Sequence, residues 1–449
     1  MKHDFASTIM SNNDMVKKSF LVEVNDFYTR IYHHCILHAL TVLLIFNTLT
    51  VSANEYIPDR RKDQFHKTPA HLLVPLPYSY PGIGQGIFWL GNFSNLLDTT
   101  TDFFATAVTG DAGGYVLQLD EAPIIDERLF VKLYYQDIDR AVVNQYDKRG
   151  MNDTSKNDYT LLDVSLAQEK TATVDLTFFE RRLNFFFKHT ESKFEVQAIR
   201  DNNGNLIMAL EEPYKAQESN QIYGFSVDLT DDYLDPKKGF RFILSYQDWP
   251  AEREQDPSYY VLDYNILLYI PAFETDTFVF NYYQSDAHVT KKGNTNAADI
   301  RQELNINCAP TDTECLQSEQ ELIGDFINHR TNGTAASLGG NNRLRSYPQG
   351  RFKGGHSGFF GTEYRWNFKQ EVAPFNYLFW KDVRTELQLA FFAEVGSVSE
   401  TAGELWHDTR YSYGTGLRLV AASGAVYRGD IAYGEEGREI IVYFYYPWE

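Results

Sequence analysis

The feature that most constrains this chain is the alternation of apolar and polar side chains, with a period of two residues, in one segment after another. Between residues 385 and 395, Leu389 and Phe391 fall on one face, and Gln388 and Glu394 fall on the other. This period is that of a β-strand, whose successive side chains point to opposite faces of a sheet. Turn residues separate the segments, so the pattern predicts an all-β protein.

Seventeen segments have this strand character. They lie near residues 85–94, 102–109, 114–121, 128–137, 160–167, 172–180, 182–190, 193–200, 221–230, 238–248, 257–269, 273–284, 357–368, 384–395, 410–420, 424–433 and 438–448. Single-chain bacterial outer-membrane barrels have even strand numbers. We therefore expect an antiparallel transmembrane β-barrel of about 16 strands, and the weakest segments are 114–121 and 160–167.

Composition narrows the class of protein. Aromatic residues make up 15% of the chain, which is unlike a disordered protein. Lys and Arg number 41 against 61 Asp and Glu, a net charge of −20, which argues against nucleic acid as a partner. Many aromatic and acidic residues together are typical of an outer-membrane barrel. Such a barrel would be surrounded by outer-membrane lipids. The rival interpretation is a soluble β-sandwich or propeller.

The N-terminal region predicts export. The apolar run Ile36–Phe46 follows Arg30 and precedes Val51-Ser52-Ala53, which offers a signal-peptidase site after Ala53. The run is too short to span a membrane. We therefore predict a signal peptide at residues 1–53, a periplasmic lead-in at 54–84, and a barrel at 85–449 in the bacterial outer membrane. The alternative is a buried core helix.

Two cysteines remain after removal of the predicted signal peptide. Cys308 and Cys315 lie close together in a polar stretch. In an exported protein such a pair predicts a disulfide that closes a loop, and the alternative is two free thiols. A metal site is not expected, because no His or further Cys lies beside them.

The longest break in the strand pattern, residues 285–356, contains a Gly- and Arg-rich stretch. Its segment Asn342–Phe352 reads NRLRSYPQGRF. This segment resembles the Arg-Gly-Tyr/Phe loop signature of the BamA/TamA superfamily of outer-membrane proteins, also called bacterial surface antigens. Further blocks follow that family's order: Asp235–Gly239, Gly361–Arg365, Phe392–Gly396, Tyr413–Arg418 and Tyr427–Asp430.

The resemblance implies a site as well as a fold. In that family the signature loop folds into the barrel lumen, and its Arg contacts an acid on the inner wall; here these are Arg345 and Glu394. The strand pattern supports this pair independently, because Glu394 lies on the same polar face as Gln388 and is therefore expected to point into the barrel. A surrounding network is expected from residues of neighbouring strands and the same loop: Tyr347, Glu363, Arg365, Arg428 and Asp430. A solvated loop cation is the alternative interpretation of Arg345.

The last segment, near 438–448, carries Phe444, Tyr446 and Trp448 on one face, and we interpret these residues as a terminal-strand signal. The predicted lead-in is too short for a POTRA domain, the periplasmic domain that receives client chains in the family. A barrel without POTRA domains is therefore expected.

Three functions remain open. The resemblance implies insertion, assembly or export of client proteins at the seam between first and last strands. The alternatives are a passive pore or solute channel gated by the loop, and a surface-exposed structural protein. We predict no enzyme, cofactor or metal, because His356-Ser357 and His407-Asp408 are isolated pairs and no Gly-x-Ser-x-Gly or P-loop motif occurs.

Overall fold

The computed structural model describes residues 69–448, apart from residues 147, 153–154, 274, 305–307, 309–310, 312, 371–374, 378–379, 384 and 422–425. The predicted signal peptide lies outside the described residues. All of the described strands belong to one antiparallel sheet. The sheet closes on itself through pairing between its first and last strands, so the predicted all-β antiparallel barrel of 16 strands is confirmed.

Sixteen strands form the wall, and two short strands form a hairpin between two of them. The wall strands are β1 (Ala70–Tyr80), β2 (Gly84–Ser94), β3 (Asp102–Gly110), β4 (Gly113–Ile125), β5 (Leu129–Gln145), β6 (Thr160–Phe178), β7 (Leu183–Arg200), β8 (Leu206–Asp228), β9 (Gly239–Trp249), β10 (Ser258–Ala272), β11 (Asp276–Lys291), β12 (His356–Gln370), β15 (Thr385–Ser399), β16 (Arg410–Ala421), β17 (Val426–Gly434) and β18 (Gly437–Phe444). The hairpin comprises β13 (Phe375–Tyr377) and β14 (Trp380–Val383).

Three differences from the sequence prediction reduce the 17 candidate segments to 16 wall strands. Segments 160–167 and 172–180 are one strand, β6, and segments 182–190 and 193–200 are one strand, β7. The first wall strand, β1, lies within residues 54–84, which we expected to be a lead-in. Its Pro75 and Pro77 made it look irregular, because proline is rare inside sheets. Within the described residues, the barrel wall therefore begins at Ala70 rather than at residue 85.

The connections differ between the two ends of the barrel. At one end, here called the turn end, lie residues 95–101, 126–128, 179–182 and 229–238, together with the hairpin of β13 and β14. At the opposite end, here called the loop end, lies the longest connection, residues 292–355. It contains helices α1 (Ala297–Glu303) and α2 (Thr313–Asn332). No helix in the described part of the chain is long and apolar enough to cross a membrane.

The two faces of the wall have opposite chemistry. On β15 to β17 the exposed side chains are apolar or aromatic, as with Tyr413 (61% exposed) and Leu417 (53% exposed). The alternate side chains of the same strands are charged and buried, as with Glu394, Arg418 and Asp430. Charged residues are rarely fully buried unless they are paired. The buried face must therefore hold a network of compensating charges.

Two apolar clusters also lie on the buried face. One joins wall residues, among them Leu267, Val279 and Phe359, to Leu338 and Leu344 of the long connection. The other joins Tyr78 and Val108 to residues of β5 and β6, among them Ala141 and Val164. These clusters connect parts of the wall that are distant in sequence. They bury apolar surface that would be exposed to water if the wall stood alone.

Strand lengths are uneven around the barrel. β8 is 23 residues long, whereas β18 has 8 residues. β8 pairs with β7 back to Leu206, but it pairs with β9 only from Gln221 to Asp228. The sheet formed by β6, β7 and β8 therefore extends beyond its neighbour β9 at the loop end.

Candidate functional site

The site is centred on residues 338–352 of the long connection, here called the Arg345 segment. Its ends are joined by an antiparallel bridge in which the Leu338 and Phe352 backbones exchange hydrogen bonds of 2.9 and 3.1 Å. Within it, the Tyr347 N–H donates to the Leu344 carbonyl over 3.0 Å. These bonds hold the segment as a compact hairpin-like unit.

The tip of this segment presents Arg345 to three acids on three strands. Arg345 Nε donates to Glu394 Oε1 over 2.8 Å, and the Arg345 backbone N–H donates to Glu394 Oε2 over 2.9 Å. Its Nη1 donates to Asp430 over 2.9 Å, and its Nη2 lies 3.5 Å from Glu363. The side chains of Arg345 and the three acids are fully buried. The structure thus brings together Arg345 and Glu394, the pair that the resemblance implies.

Three wall arginines complete the network. Arg418 forms ion pairs with Glu363, and Arg365 Nε donates to the same carboxylate over 2.8 Å. Arg428 pairs with Asp430 and also donates to the backbone carbonyl of Asn341, in the Arg345 segment. Four arginines therefore surround three acids, which leaves a formal charge of 4 − 3 = +1 in the buried cluster. Bidentate and shared pairs of this kind fix geometry as well as adding attraction.

Sequence reasoning did not single out Arg418. It lies in the block Tyr413–Arg418 that carries the family resemblance, and it shares the buried face with Gly414 and Gly416. The same parity argument that pointed Glu394 inward would have found it. Tyr347, by contrast, does not join the ion network: its ring packs edge-on against Phe352, 5.0 Å between centroids.

Aromatic rings cover the Arg345 guanidinium. Its Cζ lies 3.4 Å from the centroid of the Phe392 ring and 5.4 Å from that of Trp448. A cation over an aromatic face is attracted by the ring quadrupole, more strongly where water is excluded. Leu344 and Leu338 approach the wall at Gly396, where a Cβ atom would lie 3.0 and 2.8 Å from their side chains. A side chain on residue 396 would push the segment away.

The C-terminal residues leave the wall and join the site. β18 ends at Phe444, and Tyr445 (φ 64°) and Trp448 (φ 77°) adopt left-handed backbone conformations. The predicted strand 438–448 is therefore longer than the observed one. Tyr446 donates its hydroxyl to Asp235 over 2.7 Å, and Trp448 donates its indole N–H to Glu394 Oε1 over 3.2 Å.

These bonds account for the turn away from the sheet. Tyr446 and Trp448 are 2% and 1% exposed, so they contribute to the buried face rather than to the outer surface. Phe444 is different, because it stays in the strand and its ring lies 5.6 Å from that of Tyr427. A terminal-strand signal carried by all three residues stays a prediction.

The seam between β1 and β18 is weakly paired. β1 pairs with β2 over its full length, Ala70 to Tyr80, but with β18 at one described position, Ser79 opposite Val442. Pro75 and Pro77 lie four and two positions before Ser79. In a strand, the backbone N and C=O groups of alternate residues point to the same side, so those of all three residues face β18. Proline has no N–H, and this edge therefore lacks two donors. Side chains supply some of the missing contacts. For example, the Tyr427 hydroxyl donates a hydrogen bond to the Pro77 carbonyl over 2.6 Å.

The free end of β1 has a second partner. His71 and Leu72 pair with Lys381 and Trp380 of β14, in the hairpin between β12 and β15. This pairing occurs at the turn end, where β1 begins. The edge that β18 leaves uncovered is therefore partly occupied by another part of the same chain.

Outside this network, the loop end is tied together by a buried arginine. Arg149 donates to both carboxylate oxygens of Glu400 over 2.8 and 3.0 Å, and to Thr334 and the Gly333 carbonyl over 2.8 Å. Cys308 is disulfide-bonded, and its predicted pairing with Cys315 stays a prediction. Within residues 69–448, as far as they are described, no group of three or more His, Cys, Asp or Glu is placed to hold a metal ion.

No family model matches the chain, and no curated protein sequence matches it. Among solved structures the chain is similar to the crystal structure of BamA from Haemophilus ducreyi lacking POTRA domains 1–3. The TM-score is 0.43 and the identity 12%, over 84% of this chain and 69% of that one. It is also similar to CdiB from Escherichia coli, with a TM-score of 0.46 and 10% identity over 84% of this chain. The likeness spans 62% of the CdiB chain, less than two thirds of its length.

Proposed function

We propose that this protein is an outer-membrane barrel that assists the insertion or export of client proteins at the seam between β1 and β18. The observation that carries the proposal is the seam itself. The first and last strands pair at one described position, and two prolines remove donors from the β1 edge. An exposed strand edge can pair with an incoming strand, which is how β-augmentation recognises extended peptides.

The membrane location is supported by the exposed face of the wall. Large apolar and aromatic side chains occupy it on consecutive strands, among them Trp366, Phe391, Tyr413, Leu417 and Ile440. A soluble barrel would expose a large apolar surface there at considerable cost. In outer-membrane barrels the long connections face the outside of the cell. The longest connection here, residues 292–355, lies at the loop end, so we assign the loop end to the outside and the turn end to the periplasm.

The Arg345 segment, in this proposal, occupies the lumen and couples to the seam. Arg345 and Trp448 share Glu394 as a hydrogen-bond partner, and Trp448 lies four residues beyond the end of β18. Opening the seam by moving β18 would pull on Trp448. That movement would disturb the acid that holds Arg345, so the segment and the last strand would respond together.

The pore hypothesis has less support. The apolar cluster around Leu344 and Phe359 and the cluster around Tyr78 and Val164 bury apolar surface where a solute path would need polar lining. A water-filled channel is lined by polar residues in known outer-membrane pores. The pore and the surface-exposed structural protein remain outcomes of the test below.

The test is a disulfide across the seam, formed from Ser79→Cys and Val442→Cys, which are opposite each other. A matched control joins β1 to its other neighbour through Leu76→Cys and Phe88→Cys. The purified proteins are compared in liposomes for their ability to accelerate insertion of an unfolded client barrel. We expect the oxidised seam variant to lose this activity, reductant to restore it, and the control to keep it. Equal activity of locked and unlocked seams would overturn the proposal, and conductance without client activity would favour a pore.

A further inference from the structure

A groove of about 400 Å³ crosses the outer face of β3 to β7. It lies on the outer face because the side chains of Thr171 and Thr190, which directly follow Lys170 and His189 in sequence, are buried and bonded to each other over 2.9 Å. Ala172 therefore points outward. Its small side chain forms a depression between Leu133 on β5 and His189 on β7, which are its cross-strand partners.

The groove lies where the outer face changes from apolar to polar. Toward the turn end, the outward residues Val174 and Leu176 of β6 and Phe185 and Phe187 of β7 are exposed and apolar. Toward the loop end, the outward positions of the same strands are polar or charged: Gln168 and Lys170 on β6, and His189, Glu191 and Lys193 on β7. Such a change marks the boundary between hydrocarbon and headgroups in a membrane barrel.

The residues that line the groove are likewise apolar on one side and polar on the other. Phe103, Leu117, Leu119 and Leu133 provide an apolar floor and wall on the β3 to β5 side. Lys170, His189 and Glu191 provide the polar rim on the β6 and β7 side. The volume falls within the range of ~300–1,000 Å³ that is typical of small-molecule sites.

The rim of the groove carries charged side chains of both signs. Glu191 is opposite Lys170 in the register of β6 and β7, and its carboxylate lies 3.7 Å from His189 Nε2. Asp137, in the adjacent row, accepts hydrogen bonds from Tyr135 and Gln168 over 2.9 and 3.3 Å. Lys170 is exposed and forms no ion pair within the described part of the chain. A lysine ammonium at this depth is complementary to a phosphate in the headgroup layer.

We propose that this groove binds one phosphorylated glycolipid of the lipid A class, with an acyl chain over Ala172 and a phosphate on Lys170. The proposal rests on the membrane location given above, and not on client handling. Because the loop end is assigned to the outside, the boundary lies in the outer leaflet, which makes the glycolipid rather than a phospholipid the occupant. Lys193, two residues beyond Glu191, is the next cation on the same face of β7.

Two variants test the two halves of the site. Ala172→Phe fills the depression without changing charge, and Lys170→Gln removes the cation without filling it. The control for the first is Ala393→Phe, because Ala393 is also an exposed alanine on the outer face, on β15, between Phe391 and Val395. The measurement is native mass spectrometry of the purified protein titrated with diphosphorylated lipid A, its dephosphorylated form, or phosphatidylglycerol.

We expect wild type to bind lipid A with one-to-one stoichiometry, and both groove variants to weaken binding at least about fivefold, which is about 1 kcal/mol. Removing the phosphates should weaken binding to wild type but not to Lys170→Gln. Ala393→Phe should bind as wild type does. Unchanged binding by Ala172→Phe, or equal affinity for phosphatidylglycerol, would overturn the proposal. The mobility of unboiled protein on a gel checks folding, so failure of the barrel is distinguished from failure of the site.

Discussion

Trp448 donates its indole N–H to Glu394 Oε1 over 3.2 Å. Because that oxygen also accepts the Nε hydrogen of Arg345, the C-terminal residues and the long connection share one acceptor. The last strand of the barrel and the Arg345 segment are therefore linked through this carboxylate, in addition to the contact between the Trp448 ring and the Arg345 guanidinium.

Removing Arg345 should loosen the segment but leave the wall intact. In Arg345→Ala the buried Glu394 loses its main partner, and breaking a buried pair costs roughly 3–5 kcal/mol. The wall depends on its own hydrogen bonds, so the heat-dependent gel shift of a closed barrel should remain. We expect faster proteolysis within residues 338–352. The double variant Arg345→Glu with Glu394→Arg should recover part of the protection, and Arg253→Ala, at an exposed pair, should behave as wild type.

Removing the indole should free the end of the barrel. Trp448→Ala creates a cavity beside Phe359 and leaves Glu394 with one donor fewer, and large-to-small changes of this kind cost about 3–5 kcal/mol. Amide hydrogen exchange should accelerate in β18 and in the Arg345 segment together. Trp366→Ala, on the exposed face, is the matched control. Acceleration in β18 alone would contradict the proposed coupling.

Restoring donors to β1 should tighten the seam. Pro75→Ala combined with Pro77→Ala returns two N–H groups to the edge that faces β18, each worth about 0.5–1.5 kcal/mol if bonded. We expect slower amide exchange in β18 and lower client activity. Pro271→Ala, near the end of β10, is the control, and a seam unchanged by the double variant would mean that the prolines do not limit pairing.

The packing of α2 should weaken in acid. Burial, with a smaller contribution from Arg149, lowers the pKa of His329 to about 4. The unfolded state binds the proton near pH 6.5, so the neutral ring stabilises the fold above that value, and the contribution is lost as pH falls toward 4. Proteolysis within residues 313–332 should therefore increase from pH 6.5 to pH 4. His329→Gln should flatten this dependence.

Reduction should affect the long connection alone. A disulfide at Cys308 that closes a short loop to Cys315 should stabilise by the lower part of the usual ~2–4 kcal/mol. Peptide mapping without reductant should find these two residues joined. Free thiols at both positions would contradict the pairing, and the gel shift of the barrel should be the same with and without reductant.

The sequence predicted those parts of the structure that depend on local pattern. Alternation located most of the wall strands and placed Glu394 and Asp430 on the buried face, because side-chain parity is a property of a single strand. It divided β6 and β7, since long strands contain polar stretches where they extend beyond the apolar zone. It missed β1, since two prolines are unusual in a strand unless its edge is incompletely paired.

Contacts between distant parts of the chain could be predicted less well from the sequence. Tyr446 and Trp448 continue the alternation of β18, so only their tertiary partners, Asp235 and Glu394, explain why the chain turns inward. The pairing of β14 with β1 is equally non-local. Family resemblance gave the Arg345 contact, but the sharing of its acids with Arg418 and Arg428 required the assembled wall.

The length of β8 has a consequence for what the cell presents to its surroundings. At a rise of ~3.3 Å per residue and a tilt of ~40°, its 23 residues span roughly 60 Å along the barrel axis, against an apolar band about 25 Å tall. In the proposed orientation, more than half of that strand stands clear of the bilayer together with the upper parts of β6 and β7. An antibody or a phage approaching the cell would meet this raised sheet before it reached the seam.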